Sequence, residues 1–373
     1  MTFLSQYAVV VTGRGNWLMF YFQRPDGAIW EGRWAKKHNT DPDAENEKWF
    51  FREVVSAGSA AMKTPLAAVM YPDNDIHVFY LDSHMVVHDI EIKEEAVKPG
   101  KFASLRITMD EGCFMTAGPL NWNAASIGLY FPGRDSRFRN YLKRDTWDVF
   151  GPFPESFKIH RRSPVAYTNP HPWKWESPAV RVFHFDPGHE INCLSWDNNP
   201  KGWHMMKEKP PFPASGSAKF AAVSQNTRGK TRDHVTAPET LMLFVSDVGN
   251  LDWSRKIGSK HWTGEDSLGQ VRYGTYIAAG CARDSDGEED VHVFTAGMED
   301  SDNFVHRFLR NGVWEEREIV PFLEGSGLNT GDDEAQPDPV EPRLGGRPYH
   351  PESYHNPYTG GCEPGHGQGI APP

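Results

Sequence analysis

The sequence predicts an all-β fold, a six-bladed β-propeller of four-stranded blades followed by an irregular C-terminal tail. Three observations predict it. An apolar-aromatic segment returns about every 55 residues, close to the period of propeller blades. Within each copy, strand-like segments of different character keep one order, which a two-sheet sandwich has no reason to do. Composition agrees, since 13% aromatic residues with 34 Gly and 29 Pro fit many short strands joined by tight turns.

The first segment of each copy is built mostly of small residues: YAVVVT, LAAVMY, PLNWNA, SPVAYT, KFAAVS and YIAAGC. Alanine and valine suit the crowded inner strand, where neighbouring blades converge on the axis. The second is the recurrent one, in LMFYFQ (Phe20, Tyr21), IHVFYLD (Phe79, Tyr80) and IGLYFPG (Leu129, Tyr130). It returns in VRVFHFD (Val182, Phe183), LMLFVSD (Leu243, Phe244) and VHVFTAG (Val293, Phe294). A turn such as Pro25-Asp26-Gly27 follows. The third segment alternates polar with apolar residues, as in AIWEGRW and VVHDIEI. The fourth carries a tryptophan, Trp49, Trp147, Trp203, Trp262 or Trp314, except in the second copy. The propeller is expected over residues 6–322. Residues 323–373 read as a Gly/Pro-rich linker and tail; Tyr349, Tyr354 and Tyr358 point to part of it packing on the propeller, and a fully disordered tail fits equally well.

Charge and motifs narrow the function. A net charge of −11 and the lack of a basic stripe argue against nucleic acid and anionic membranes as partners. The N-terminal MTFLSQYAVVVTGRGNW has no basic n-region and only a short apolar run, so a cytoplasmic location is expected. Four cysteines, Cys113, Cys193, Cys281 and Cys362, form no CxxC pair. His84 and His88 would share a metal on a helix, but on a strand they lie about 13 Å apart. DSDGEED, Asp284 to Asp290, lacks the ligand spacing of a calcium loop. His350, His355, Cys362 and His366 match no zinc pattern, so no metal site is expected. Nucleophile-elbow, P-loop and dinucleotide motifs are missing, and no cofactor is expected.

The order of small strand, aromatic strand, Ile-x-Glu after a Gly turn and then Trp resembles that of the fungal fucose-specific lectins. That resemblance covers about 85% of the chain through degenerate patterns. It implies sugar sites made from an arginine on the second strand, a glutamate on the third and a tryptophan. Charged groups would fix the hydroxyls and the indole would cover the apolar face of the sugar. The arginine position reads Met19, His77, Gly128, Arg181, Met242 and His292, and the glutamate position reads Glu31, His88, Asn140, Cys193, Trp253 and His306, to within one residue of register. No copy keeps all three groups. The remnants are Glu31 with Trp49 in the first copy and Arg181 with Trp203 in the fourth. Losing one charged partner costs about 1.5 to 3 kcal/mol, which a millimolar site of about 4 kcal/mol cannot absorb.

The substituted positions are apolar or neutral hydrogen-bonding groups, suited to an aromatic or terpenoid ligand. In this respect the chain is similar to the fungal hetero-Diels-Alderases of tropolone sesquiterpenoid pathways. That similarity implies loss of water from a hydroxymethyl tropolone to a quinone methide, followed by its capture by a humulene-type alkene. His77 and His292 are then the acid–base or hydrogen-bonding candidates. Trp17, Trp30, Tyr71, Trp122 and Tyr167 are candidate pocket walls, with Arg181 and Met242 as further substrate contacts; for the aromatic walls a purely structural role fits equally well. A fucose-binding lectin with one or two surviving sites is the alternative. Whether the protein is a homodimer is left open by the sequence.

Overall fold

The computed structural model describes residues 6–11, 17–35, 49–70, 75–93, 95–121, 126–143, 146–149, 153, 157–169, 180–196, 202–212, 218–226, 238–258, 261–272, 274–283, 289–297, 303–310 and 312–319. They form six antiparallel four-stranded sheets, each made of four consecutive strands. Blade 1 runs Tyr7–Val11, Trp17–Gln23, Ile29–Ala35 and Trp49–Val55, and blade 2 runs Ala67–Met70, Ile76–Leu81, Val87–Lys93 and Ala96–Pro99. Blade 3 follows with Thr116–Asn121, Ser126–Pro132, Phe138–Lys143 and Trp147–Val149, and blade 4 with Val165–Thr168, Val180–Phe185, Ile191–Trp196 and His204–Met205. Blade 5 has Lys219–Asn226, Pro238–Val245, Asn250–Ile257 and Thr263–Gln270, and blade 6 has Ala278–Arg283, Glu289–Ala296, Phe304–Arg310 and Val313–Ile319. The small-residue strands are innermost, and each lies beside those of its two neighbours, so the strands of blades 6 and 1 close the ring. The described residues include one 3-10 turn, Phe102–Leu105, and no α-helix, so none holds a helix long and apolar enough to cross a membrane.

A six-fold ring of sheets places one apolar layer between each pair of blades, and there are six such clusters among the described residues. Because the second strand is packed on both faces, its side chains are buried without alternation, as along Ile76–Leu81 and Ser126–Pro132. The hairpin after it is the most regular local feature. In blades 1 to 5 the backbone N–H of Arg24, Asp82, Gly133, Asp186 and Ser246 donates to the carbonyl four residues on. Gly27, Met85, Ser136, His189 and Gly249 hold positive φ in the same turn position. Glycine adopts that conformation without strain, whereas Met85, Ser136 and His189 accept it to keep the turn. Blade 6 uses a longer turn, closed from Gly297 to Asn303.

Two expectations shift. The inner strand of blade 3 is Thr116–Asn121, three residues before PLNWNA, so Ala117 and Gly118 supply its small residues. The chain divides into residues 1–328 and 329–373, and the expected packing of the tail falls wholly outside the described residues.

Candidate functional site

The constant hairpins fix which residues are equivalent. Opposite the inner strand, the arginine position is occupied by Met19, His77, Gly128, Arg181, Leu241 and His292. Met242 is therefore one residue out of register. Its side chain is fully buried in the layer between blades 4 and 5, because a one-residue step on a strand reverses the face. The glutamate position faces the residue two further along the second strand, and it holds Glu31, Asp89, Asn140, Cys193, Trp253 and His306. In blade 2 it is thus Asp89; His88 points the other way and bonds Asp82 at 2.9 Å.

The fourth-strand tryptophans also share one register. Trp49, Trp147 and Trp314 face Trp34, Lys143 and Leu309 on the third strand, Trp203 and Trp262 stand one residue before the paired His204 and Thr263, and Val97 takes the place in blade 2. Each ring lies against the preceding blade: Trp147 on Phe79, Trp203 on Tyr130, Trp262 on Phe183, Trp314 on Trp253 and Trp49 on Phe294. Each crevice therefore combines two strands of one blade with the fourth-strand residue of the next, a tryptophan everywhere but between blades 1 and 2. Glu31 and Trp49 belong to different crevices, as do Arg181 and Trp203, and the pairing expected from their nearness in sequence is corrected.

Between blades 1 and 2 the Glu31 carboxylate is fully buried. It accepts from the Tyr21 hydroxyl at 2.7 Å, from Arg52 Nε at 2.8 Å and from Arg33 Nε. Both arginines also reach Glu95 of blade 2. Burial and this carboxylate push the Tyr21 hydroxyl well above its ordinary pKa. Between blades 2 and 3, His77 Nδ1 lies 3.2 Å from Asp89 and its Nε2 lies 3.0 Å from Lys143 Nζ, which bonds Glu91 at 2.8 Å. His77, Asp89 and Glu91 are close enough to ligate one ion, but the Lys143 ammonium already supplies the positive charge there. This chain of polar groups is suited to moving or holding a proton.

Between blades 3 and 4, a Cβ on Gly128 would lie 2.5 Å from the Tyr130 hydroxyl, so a side chain at the arginine position would have to displace the buried Tyr130 ring. The Tyr130 hydroxyl, both amide atoms of Asn140 and Trp203 Nε1 are buried with no partner among the described residues. Between blades 4 and 5, Arg181 Nη1 donates to Thr240 at 3.3 Å, while its Nε is buried with no partner among the described residues. Lys256 pairs with Glu208, from the segment after blade 4, and burial together with the Arg181 guanidinium lowers the Lys256 amine. Between blades 5 and 6 the positions are Leu241, Trp253 and Trp314. Between blades 6 and 1, His292 Nδ1 and His306 Nε2 are 2.9 Å apart, and His306 stacks on Phe294 at 4.6 Å. Burial and the adjacent His292 hold His306 well below the usual histidine pKa. His77 and His292 thus stand in different crevices and cannot act as one acid–base pair.

A second region lies on the axis. The six inner strands enclose a cavity of about 300 Å³ whose wall is largely alanine, valine and aromatic side chains. Of the expected walls, Tyr167 lines it: its ring lies where a side chain on Gly118 would be, stacks on Tyr130 at 5.9 Å and donates its hydroxyl to Pro119. Trp30 lies elsewhere, half-buried with the Arg24 guanidinium 5.1 Å from its ring. Trp17 begins the second strand of blade 1, its side chain lying outside the described set, as do residues Tyr71 and Trp122. At one end of the cavity stands Lys219, the first residue of the small-residue segment KFAAVS, where a lone lysine is the only sequence signal of a site. Lys143 and Glu208 reach their crevices only through the packing of blade 3 on blade 2 and through the loop after blade 4, which the sequence does not display.

No family model matches the chain, and no curated protein matches it in sequence. Solved structures do. AofleA from Arthrobotrys oligospora is 18% identical over 86% of this chain and 87% of its own, with a TM-score of 0.70. The fungal lectin of Aleuria aurantia, described as a six-bladed β-propeller with a fucose recognition mode, is 16% identical over 87% of this chain and 100% of its own, with a TM-score of 0.66. The chain has the fold of the fucose-specific lectin propellers. The lectin BP39L from Burkholderia pseudomallei is more distant, at 14% identity and a TM-score of 0.56 over 86% of each chain. Against this lectin fold, the six crevices can be read in order. Their arginine, glutamate and tryptophan positions hold Met19, Glu31 and Val97; His77, Asp89 and Trp147; Gly128, Asn140 and Trp203; Arg181, Cys193 and Trp262; Leu241, Trp253 and Trp314; His292, His306 and Trp49. None keeps all three.

Proposed function

We propose that this lectin-fold propeller acts on an apolar or aromatic small molecule held in its axial cavity. The reaction we assign is a cofactor-independent pericyclic one, the joining of a tropolone-derived quinone methide to a humulene-type alkene in the cytoplasm. One observation carries the reading: no crevice retains the arginine, carboxylate and tryptophan together, while the inner strands surround an apolar cavity of about 300 Å³. That volume is at the lower end of ligand pockets. It suits one partner, with the second meeting it at an open end. A cycloaddition needs no nucleophile, and holding the partners in reacting geometry can lower the barrier by about 7 to 11 kcal/mol.

A second reading, a lectin with one surviving site, is favoured by the crevice between blades 4 and 5. There Arg181 keeps a buried Nε without a partner among the described residues, the Trp262 ring lies against Phe183 of the same strand, and the Glu208 carboxylate pairs with Lys256, whose amine the Arg181 charge lowers. A pair of measurements separates the two. The folded protein is mixed with the hydroxymethyl tropolone and the alkene, and separately applied to a fucoside array. The first reading expects a faster reaction and an altered product stereochemistry, with a silent array. Unchanged rate and stereochemistry overturn it, and an array signal that Arg181→Met removes establishes the second.

A further inference from the structure

The axial cavity carries one charge. Among the described residues that line it, Lys219 alone is ionisable as a cation, and no aspartate or glutamate lines it. Lys219 is the first residue of the inner strand of blade 5. Its Nζ lies 4.9 Å from the ring centroid of Phe114 and 5.5 Å from that of Tyr276, and these two rings are 5.5 Å apart. No carboxylate among the described residues reaches salt-bridge distance of this amine, the charge of Asp247 acting only from further off. Burial accordingly lowers its pKa.

Two aromatic faces hold an ammonium by attraction to their π-electrons, but they do not neutralise it. In a low-dielectric setting a cation without a counter-ion is costly, and an anion brought to it gains more than it would in water. The structure therefore combines an apolar channel with a single positive anchor at its end, an arrangement matched by a molecule that is apolar along its length and anionic at one tip.

We infer that the axial cavity takes apolar acids, with a carboxylate or the enolate oxygen of an acidic hydroxy-ketone seated on Lys219 between Phe114 and Tyr276 and the apolar body directed along the axis. The inference rests on the reading that the cavity is the ligand site, and it adds the substrate class. A deprotonated tropolone is one such acid. The alternative for Lys219 is a side chain that only extends its amine to water along an apolar surface, and it makes a different prediction.

The test compares decanoate with decanol, which share a tail and differ in charge, by displacement of the neutral fluorophore N-phenyl-1-naphthylamine from the full-length protein. The expected result is that decanoate binds about tenfold more tightly than decanol, the scale of one charge-assisted contact. Lys219→Met should bring the two within about twofold by weakening decanoate alone, and Lys219→Arg should keep the preference. Equal binding of both by the unmodified protein, or a preference that survives Lys219→Met, overturns the inference while leaving the cavity as an apolar site. If neither compound nor the fluorophore binds, the cavity reading falls as well. Should Lys219→Met fail to fold, Lys219→Gln provides the same comparison.

Discussion

Blade 1 closes a crevice on each of its flanks, and it does so by opposite chemistry. Toward blade 2 it buries a charge, the Glu31 carboxylate, and surrounds it with Tyr21, Arg33 and Arg52. Toward blade 6 it offers the rings of Trp34 and Trp49, 5.7 Å from His292 and 6.0 Å from His306 respectively. The backbone register is the same in both places. The propeller therefore accepts either ions or neutral rings between its blades, provided that the buried groups satisfy one another. Neither flank holds a carboxylate and a cation apart for a ligand. On the blade 2 side they neutralise each other, and on the blade 6 side the facing positions hold His292 and His306, while the nearby Arg310 is paired with Asp290.

The charged flank should be the more fragile. Replacing Glu31 by glutamine leaves Arg33 and Arg52 facing a neutral amide, with only the exposed Glu95 to share. Breaking a buried ion pair in this way costs about 3 kcal/mol, readable as a lower urea midpoint with an unchanged slope. A loss below about 1 kcal/mol would mean that water already solvates the two guanidinium groups. The neutral flank should instead respond to acid. His306 is held neutral well below the usual histidine pKa, so the unfolded chain binds its proton first. Stability is then complete above about pH 6.5 and falls as the pH drops below it. His184, buried between blades 3 and 4 and lowered to about 4, offers a parallel. Its acid loss between pH 6.5 and 4 should be about 3 kcal/mol. His306→Phe and His184→Phe should each flatten the fall of unfolding free energy over that range, and together they should add, because they occupy separate crevices. An acid limb that neither variant changes would show that other groups cause it.

How much of this was legible in the sequence follows from the same packing. The blades were, because the small inner strand, the aromatic second strand and the tryptophans of the fourth are repeated chemical signals, and Trp49, Trp147, Trp203, Trp262 and Trp314 fall in one register. The register of blade 5 was not. In Leu241-Met242-Leu243 every residue is fully buried, so there is no alternation by which to tell one face from the other. The membership of the crevices was hidden for a different reason. Glu31 and Trp49 are close in the chain but face opposite neighbours, and only ring closure shows that Val97 is the residue opposite Glu31's crevice. Lys219 was visible as a lone cation in a small-residue strand, yet its meaning depends on Phe114 and Tyr276, which belong to blades 3 and 6 by position and meet it at the axis.

The smallest expected effect sharpens the comparison most. Arg181, like Glu31, is a charged group at a crevice, but its Nε has no partner among the described residues and its bond to Thr240 is long at 3.3 Å. Replacing it by methionine removes a cation that also lowers the amine of Lys256, and it keeps much of the apolar stem that packs there. The change in stability should therefore stay within about 1 kcal/mol and could be favourable, as when apolar side chains replace buried ions. The urea midpoint used for Glu31→Gln measures it directly. A loss above about 2 kcal/mol would make Arg181 a structural cation like those around Glu31, and the second reading, which seats a ligand in the crevice between blades 4 and 5, would then lose its support.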